Sequence, residues 1–283
     1  MMKNYGQRYT LPLLCWITVF FVIPFSIIFV GSFLKKGLYG GFELQFSLDA
    51  YTSLFSNTMR KVSINTIIIS VITTIITVLL ALPTAYYMAR SRYKETLLFL
   101  VIIPFWTNFL IRIFAWIAIL GNNGLVNNFL INAGLLNTPV QLLYNRWAVI
   151  LIMVYTSLPF AILPLYSTIE KFDFSLLEAA RDLGATKPQS VYKVLIPIII
   201  PGITTAVLFT FIPAFGNFAI PDIVGGTDIR MLGNIINEKL KTARNWPSAS
   251  SISVVLTLMT TGAVILFTRL TAPKRVAQVK EEF

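Results

Sequence analysis

The chain has 283 residues, 56% of them hydrophobic and 12% charged, with a mean hydropathy of +0.74. That charged share is about half that of an ordinary soluble domain, which excludes a water-soluble globular core and points to apolar surface absorbed by lipid. The formal charge of +11 is carried by short clusters between apolar runs, a pattern that argues against nucleic acid, and the absence of histidine excludes a His-dependent triad, a His metal ligand and a His proton relay within the chain.

Six stretches are apolar and long enough to cross about 30 Å of hydrocarbon: 11–33, 62–89, 97–120, 148–166, 196–215 and 252–270. In lipid the backbone must satisfy its own hydrogen bonds, and these runs lack the period-2 alternation of a barrel, so all six read as helices. The first holds the lone Cys15. It is longer than a secretory h-region and no small-x-small cleavage pattern follows it, so it reads as a retained helix. A single cysteine makes neither an internal disulfide nor a cysteine-based metal site. Prolines recur in or at the ends of the spans, among them Pro24, Pro83, Pro104, Pro159, Pro164, Pro201 and Pro213, and each interior one tends to kink its helix.

Six crossings place both ends on one side of the membrane. Lys3 and Arg8, then Arg90, Arg92 and Lys94, then Lys171, Arg181, Lys187 and Lys193, then Arg269, Lys274, Arg275 and Lys280 all fall on the same set of connections, the expected cytoplasmic set. The organisation that follows is a cytoplasmic tail over 1–10, a six-helix membrane domain over 11–270 and a second cytoplasmic tail over 271–283, bound to a lipid bilayer. No internal repeat is evident.

The longest cytoplasmic connection, 170–197, is also the most patterned. Ser175 is expected to cap a short helix, Leu176, Leu177, Ala180 and Leu183 to form its apolar face, and Gly184 to stop it. A second helix is expected from Thr186, with Pro188 in its first turn. Ala179 and Ala180 beside Glu178 allow a partner surface to approach closely while a carboxylate offers one directed contact. On physical grounds the same helix is equally suited to resting on lipid headgroups. The chain has no G-x-x-x-x-G-K-[ST] phosphate loop, so ATP-driven work requires a separate subunit.

Glu178-Ala179-Ala180, then Gly184, then Ile196-Pro197 resembles the EAA motif of permease subunits in binding-protein-dependent ABC importers. The resemblance implies an all-α polytopic fold of the type I (MetI-like) importer class. It further implies ATPase coupling through Glu178, Ala179, Ala180, Gly184 and Pro197, with no cofactor in this chain because ATP and Mg bind the ATPase. The implied partners are a second homologous permease subunit, two ATPase subunits and an extracytoplasmic substrate-binding protein, in a prokaryotic cytoplasmic membrane. The runs IPFWTNFLIRIFAWIAILGNNGLVN from Ile103, FIPAFGNFAIPDIVGG from Phe211 and NWPSASSIS from Asn245 extend the likeness to spermidine/putrescine importer permeases along essentially the whole chain.

A polyamine passage needs aromatic faces and a few polar groups that bind weakly enough to release. Trp106, Asn108, Phe109 and Trp116 on the third span, Tyr155 on the fourth, and Asn217, Phe218 and Asp222 after the fifth are the candidates, although helix packing or an interfacial belt also accounts for the aromatics. Arg112 lies inside a span and repels a cation, so a structural or gating role is expected, through backbone carbonyls, a carboxylate or outward snorkelling. Asn217 stands where relatives often carry a glutamate. Either the second permease then supplies the negative charge or the preferred solute differs. An ion-coupled secondary transporter would show an inverted repeat and acids within the spans, and a membrane-embedded hydrolase would show a nucleophile with its base; neither pattern is evident.

Overall fold

The structure, a computed structural model, describes residues 5–226 and 229–271, with residues 5–9 described by their helical backbone alone. Lys3, Lys274, Arg275 and Lys280 of the tails lie outside the described residues, as does the Arg8 side chain. Six helices are long and apolar enough to cross a membrane. The first, α1 (Thr10–Gly31), contains a π-helical segment at Thr18–Val22 just before Pro24, and none of its apolar window is buried, as suits a helix solvated by lipid. An antiparallel hairpin follows, β1 (Leu34–Lys36) with β2 (Phe42–Phe46), the one small sheet among the described residues and an addition to the all-helical expectation. Gly40 and Gly41, at φ +100° and +78°, supply the left-handed turn between its strands.

Helix α2 (Asn57–Arg90) continues through Pro83 without a break. The third span departs from expectation. In place of a continuous helix over 97–120, the chain forms α3 (Lys94–Ile102), a 3₁₀ turn at Ile103–Trp106, an extended Thr107, and then α4 (Phe109–Leu120). Two local preferences cause the break. Pro104 removes a ladder donor, and the Asn108 carbonyl oxygen accepts from the Leu110 N–H at 2.8 Å, starting a new helix. The apolar window long enough to cross therefore begins at Phe109 and runs to Asn132, taking in α5 (Leu125–Asn132) after a turn.

The remaining elements are α6 (Arg146–Ile169), α7 (Ser175–Asp182), α8 (Lys187–Phe215, with a π-helical turn at Val191–Leu195), α9 (Ala219–Val224), α10 (Leu232–Lys241) and α11 (Trp246–Thr271). The residues divide into two compact units whose boundaries fall within α2, between α9 and α10, and within α11. One comprises the chain up to Thr66 with Arg230–Met259, and has a core of Val62, Leu232, Ile235 and Ile252. There the buried Thr66 hydroxyl donates to the Val62 carbonyl and accepts from the Leu232 N–H at 2.9 Å, supplying α10 with a partner for one of its free amide donors.

The other unit is built around α6, the most buried span, packed along α8. Gly202 is the reason the two can approach: a Cβ there would collide with Thr168 Oγ1. Ala81, Ala85 and Met88 of α2 complete a core with Leu165 and Ile169 of α6 and Leu195 and Ile199 of α8. Phe172 and Leu177, from the connection after α6, belong to the same core.

Candidate coupling loop and aromatic path

The connection after α6 is assembled from local bonds. Glu170 ends the helix and forms an ion pair with Lys94 at 2.7 Å. Hydrogen bonds from Lys94 and then Tyr166 hold the Glu170 carboxyl below the usual carboxylate range, and Glu170 in turn raises the Lys94 ammonium. Asp173, rather than Ser175, caps α7: its Oδ1 accepts from the Ser175 N–H at 3.0 Å, and the bonds from Ser175 lower its pKa. An aspartate two residues ahead of a free helical N–H makes this local turn readily, and Ser175 is then already helical.

The exit from α7 is a full Schellman motif. The Ala185 N–H donates to the Ala180 carbonyl and the Gly184 N–H to the Arg181 carbonyl, with Gly184 at φ +90°. Thr186 then caps the next helix in a reciprocal capping box with Gln189, the start expected from the sequence. The expected apolar face is narrower in the fold. Leu177 is 2% exposed, whereas Leu176 and Leu183 are exposed, because the eight-residue helix touches the core along one line only. Glu178 and Ala179 are exposed, Ala180 is half-buried, and Pro197 sits in the first turn of the α-helical part of α8. Behind the loop, the Arg90 guanidinium lies over the rings of Tyr86 and Phe174, at 5.8 and 5.3 Å, and Phe174 packs edge-on to Phe172.

The path candidates fall into separate groups. Trp106 is 75% exposed and meets the edge of Phe99 at 5.8 Å. Trp116 and Tyr155 are brought together across α4 and α6, edge to face at 5.4 Å. Asn108 and Asn217 both act as caps: the Asn217 side-chain Oδ1 accepts from the Ile220 N–H at 3.1 Å, so one acceptor site of each side-chain amide is used at a helix start. Phe218 and Asp222 stand on α9 and at its start, and α9 packs against α4 and α6. Arg112 lies beside two aromatic rings. Its guanidinium lies 5.7 Å from the Phe105 ring and 5.8 Å from that of Phe109, and its buried Nε has no hydrogen-bond partner among the described residues.

Several contributors escaped the sequence reading: Lys94 with Glu170, Arg90 with Phe174, Phe105, and Gly202 with Thr168. Only Asp173 had a local signal, its position two residues before a helix start.

Residues 59–273 match the family model of binding-protein-dependent transport system inner membrane components. The chain is 38% identical over 270 residues, 94% of each chain, to the spermidine/putrescine transport system permease protein PotB of Haemophilus influenzae. It is 38% identical over 246 residues to PotB of Escherichia coli, covering 86% of this chain and 90% of that one. Among solved structures it is similar to a bacterial ABC transporter involved in import of the acidic polysaccharide alginate, with a TM-score of 0.78 at 17% identity and 96% of each chain covered. The MetNI methionine ABC transporter follows with a TM-score of 0.57 at 19% identity, over 77% of this chain and 98% of that one.

Proposed function

This chain belongs to the family of binding-protein-dependent transport system inner membrane components, and from that membership we propose that it is the permease subunit that carries polyamines through an ABC importer by alternating access, driven through the loop 170–197. It is a transport subunit and not an enzyme; ATP hydrolysis belongs to a separate subunit. ATP and Mg bind there, and this chain needs no cofactor of its own.

The observation that carries the coupling role is the opposed environment of neighbours on α7. Leu177 is buried in the unit's core while Glu178 and Ala179 face outward. A helix fixed on one side and small on the other is suited to sit in a partner's groove. The Schellman turn at Gly184 and the capping box at Thr186 make its junction to α8 stiff, so displacement of α7 passes to α8 and Pro197 with little lost in bending. Headgroup contact would instead use the exposed Leu176 and Leu183, and it would leave ATP-driven uptake insensitive to charge reversal at Glu178.

The assembly in this reading holds a second, homologous permease, two ATPase subunits and an extracytoplasmic binding protein, with both tails of this chain in the cytoplasm. The cargo assignment rests on the likeness to spermidine/putrescine permeases over nearly the whole chain. Trp106, Phe109, Tyr155 and Phe218 offer aromatic faces, Asn108 and Asn217 their amide groups, and Asp222 a carboxylate, while Arg112 serves as a structural or gating cation. The testing experiment reconstitutes the complete complex and measures ATPase stimulation by binding protein loaded with spermidine, putrescine or unrelated small solutes. Stimulation by polyamine-loaded protein is expected. Stimulation only by another solute would overturn the cargo and leave the importer role standing.

A further inference from the structure

The break in the third span lies at a depth that α6 measures. Lys94, at the start of α3, pairs with Glu170 at the end of α6; Phe105 meets Phe160 edge-on at 4.9 Å; Trp116 of α4 meets Tyr155 at 5.4 Å. The broken span therefore runs antiparallel along α6. At about 1.5 Å per residue, Phe160 is about 15 Å from Glu170 and about 21 Å from Arg146, so the break falls near the middle of some 30 Å of hydrocarbon.

Backbone at that depth must find partners, because lipid supplies none. No described group donates to the carbonyls of Phe105, Trp106 or Thr107, since the 3₁₀ turn ends at Trp106 and the first bond of α4 runs from the Arg112 N–H to the Asn108 carbonyl. The Thr107 N–H and hydroxyl both donate to the Pro104 carbonyl, the hydroxyl at 2.7 Å, so the exposed Thr107 Oγ1 has only lone pairs left to offer. Asn108 is exposed as well, and Trp106 is 75% exposed. Irregular backbone within a membrane is tolerated only where protein covers it or where it lines a water-filled cavity. An apolar helix laid over this segment would leave the carbonyls unpaired, at a cost of about 1–3 kcal/mol for each buried group. The unmet groups are acceptors, so what pairs with them is a donor.

We propose that the carbonyls of Phe105, Trp106 and Thr107, with Thr107 Oγ1, line the aqueous passage and form a subsite for an alkylammonium group, which they coordinate in place of its hydration shell. The inference rests on the importer reading above and goes beyond it in assigning the recognition to main-chain oxygens. It also accounts for how a chain with no Asp or Glu in its six spans passes a cation: neutral carbonyls hold an ammonium more weakly than a carboxylate would, and so release it. Arg112, whose guanidinium lies beside the Phe105 and Phe109 rings, opposes this preference, and the sign of the charge admitted decides between them.

The test is cysteine accessibility in the complete complex in nanodiscs, with both faces open to reagent. The chain's only cysteine is first removed as Cys15→Ser, and Thr107→Cys and Asn108→Cys are then made separately. Phe20→Cys on the unburied α1 sets the rate for a lipid-facing thiol. Modification of this chain by a cationic and an anionic methanethiosulfonate is followed by mass. At least one of the two positions is expected to react with the cationic reagent about tenfold faster than with the anionic one, and spermidine is expected to slow that reaction more than sodium chloride of equal ionic strength does. Rates at both positions no higher than at Phe20→Cys overturn the proposal, because the segment then faces lipid or is covered by protein. Preference for the anionic reagent overturns it in favour of Arg112, and equal slowing by spermidine and salt overturns the subsite. Absence of ATPase stimulation by polyamine-loaded binding protein in the unmodified complex would instead overturn the importer reading.

Discussion

Leu177 and Glu178 are covalent neighbours with opposite surroundings, one in the core and one exposed. That contrast predicts opposite phenotypes. Leu177→Ala removes a buried side chain and should destabilise the unit by about 2–5 kcal/mol. Glu178→Arg should leave melting temperature and membrane insertion unchanged while abolishing ATP-driven uptake; full uptake in that variant would remove α7 from the coupling path. Trp106 has one ring neighbour and is otherwise open, so Trp106→Ala should lower uptake with complex assembly intact, and unaltered uptake would return it to packing against Phe99. Asn108 and Asn217 show what residue type alone conceals. As amides they suited a substrate, yet in the fold their carbonyl oxygens are committed to helix starts, because a free N–H in an apolar setting is costly to leave unbonded.

At the scale of elements, α7 is tied to more than the helix that follows it. Glu170 links the end of α6 to the start of α3, and Arg90 spans from α2 to Phe174. Lys94→Glu and Glu170→Lys should each reduce coupled uptake, modestly because the pair is exposed, and the double swap should restore it. If the swap fails to rescue, the pair carries no force. Its pH dependence follows from the shifts. The lowered Glu170 and Asp173 carboxyls contribute stability above the usual carboxylate range and lose it as pH falls through their depressed values. Lys94 contributes below the usual lysine range and loses it as pH rises through its elevated value. Uptake measured between these limits should show no titration from this cluster. The contact of α6 with α8 depends on Gly202. Gly202→Val should cost about 1–3 kcal/mol by overpacking, read as a lower melting temperature in detergent, and Thr168→Ala should recover part of it.

For the whole molecule the decisive prediction is dependence on partners: the purified chain alone in proteoliposomes under an ion gradient should transport nothing, and uptake there would favour a secondary transporter. Membrane residence and six apolar helices were legible in the sequence by itself, because each depends on the length and composition of a continuous run. So were the glycine stop at Gly184 and the capped start at Thr186, since turns and caps are decided by bonds among residues only a few positions apart. The break at Thr107–Asn108 was legible only in part: Pro104 announced a kink, but a long apolar run outweighed it. Tertiary structure decided which leucine of α7 is buried, that Lys94 meets Glu170 across 76 positions, that Arg112 rests against two aromatic rings, and that Lys35 and Lys36 of the hairpin line one recess with Lys239. The physical reason is common to all four. In a chain where nearly every span is apolar, hydrophobicity places helices in lipid but does not say which faces meet, and that choice is made by side-chain shape and by the few polar groups that must find partners.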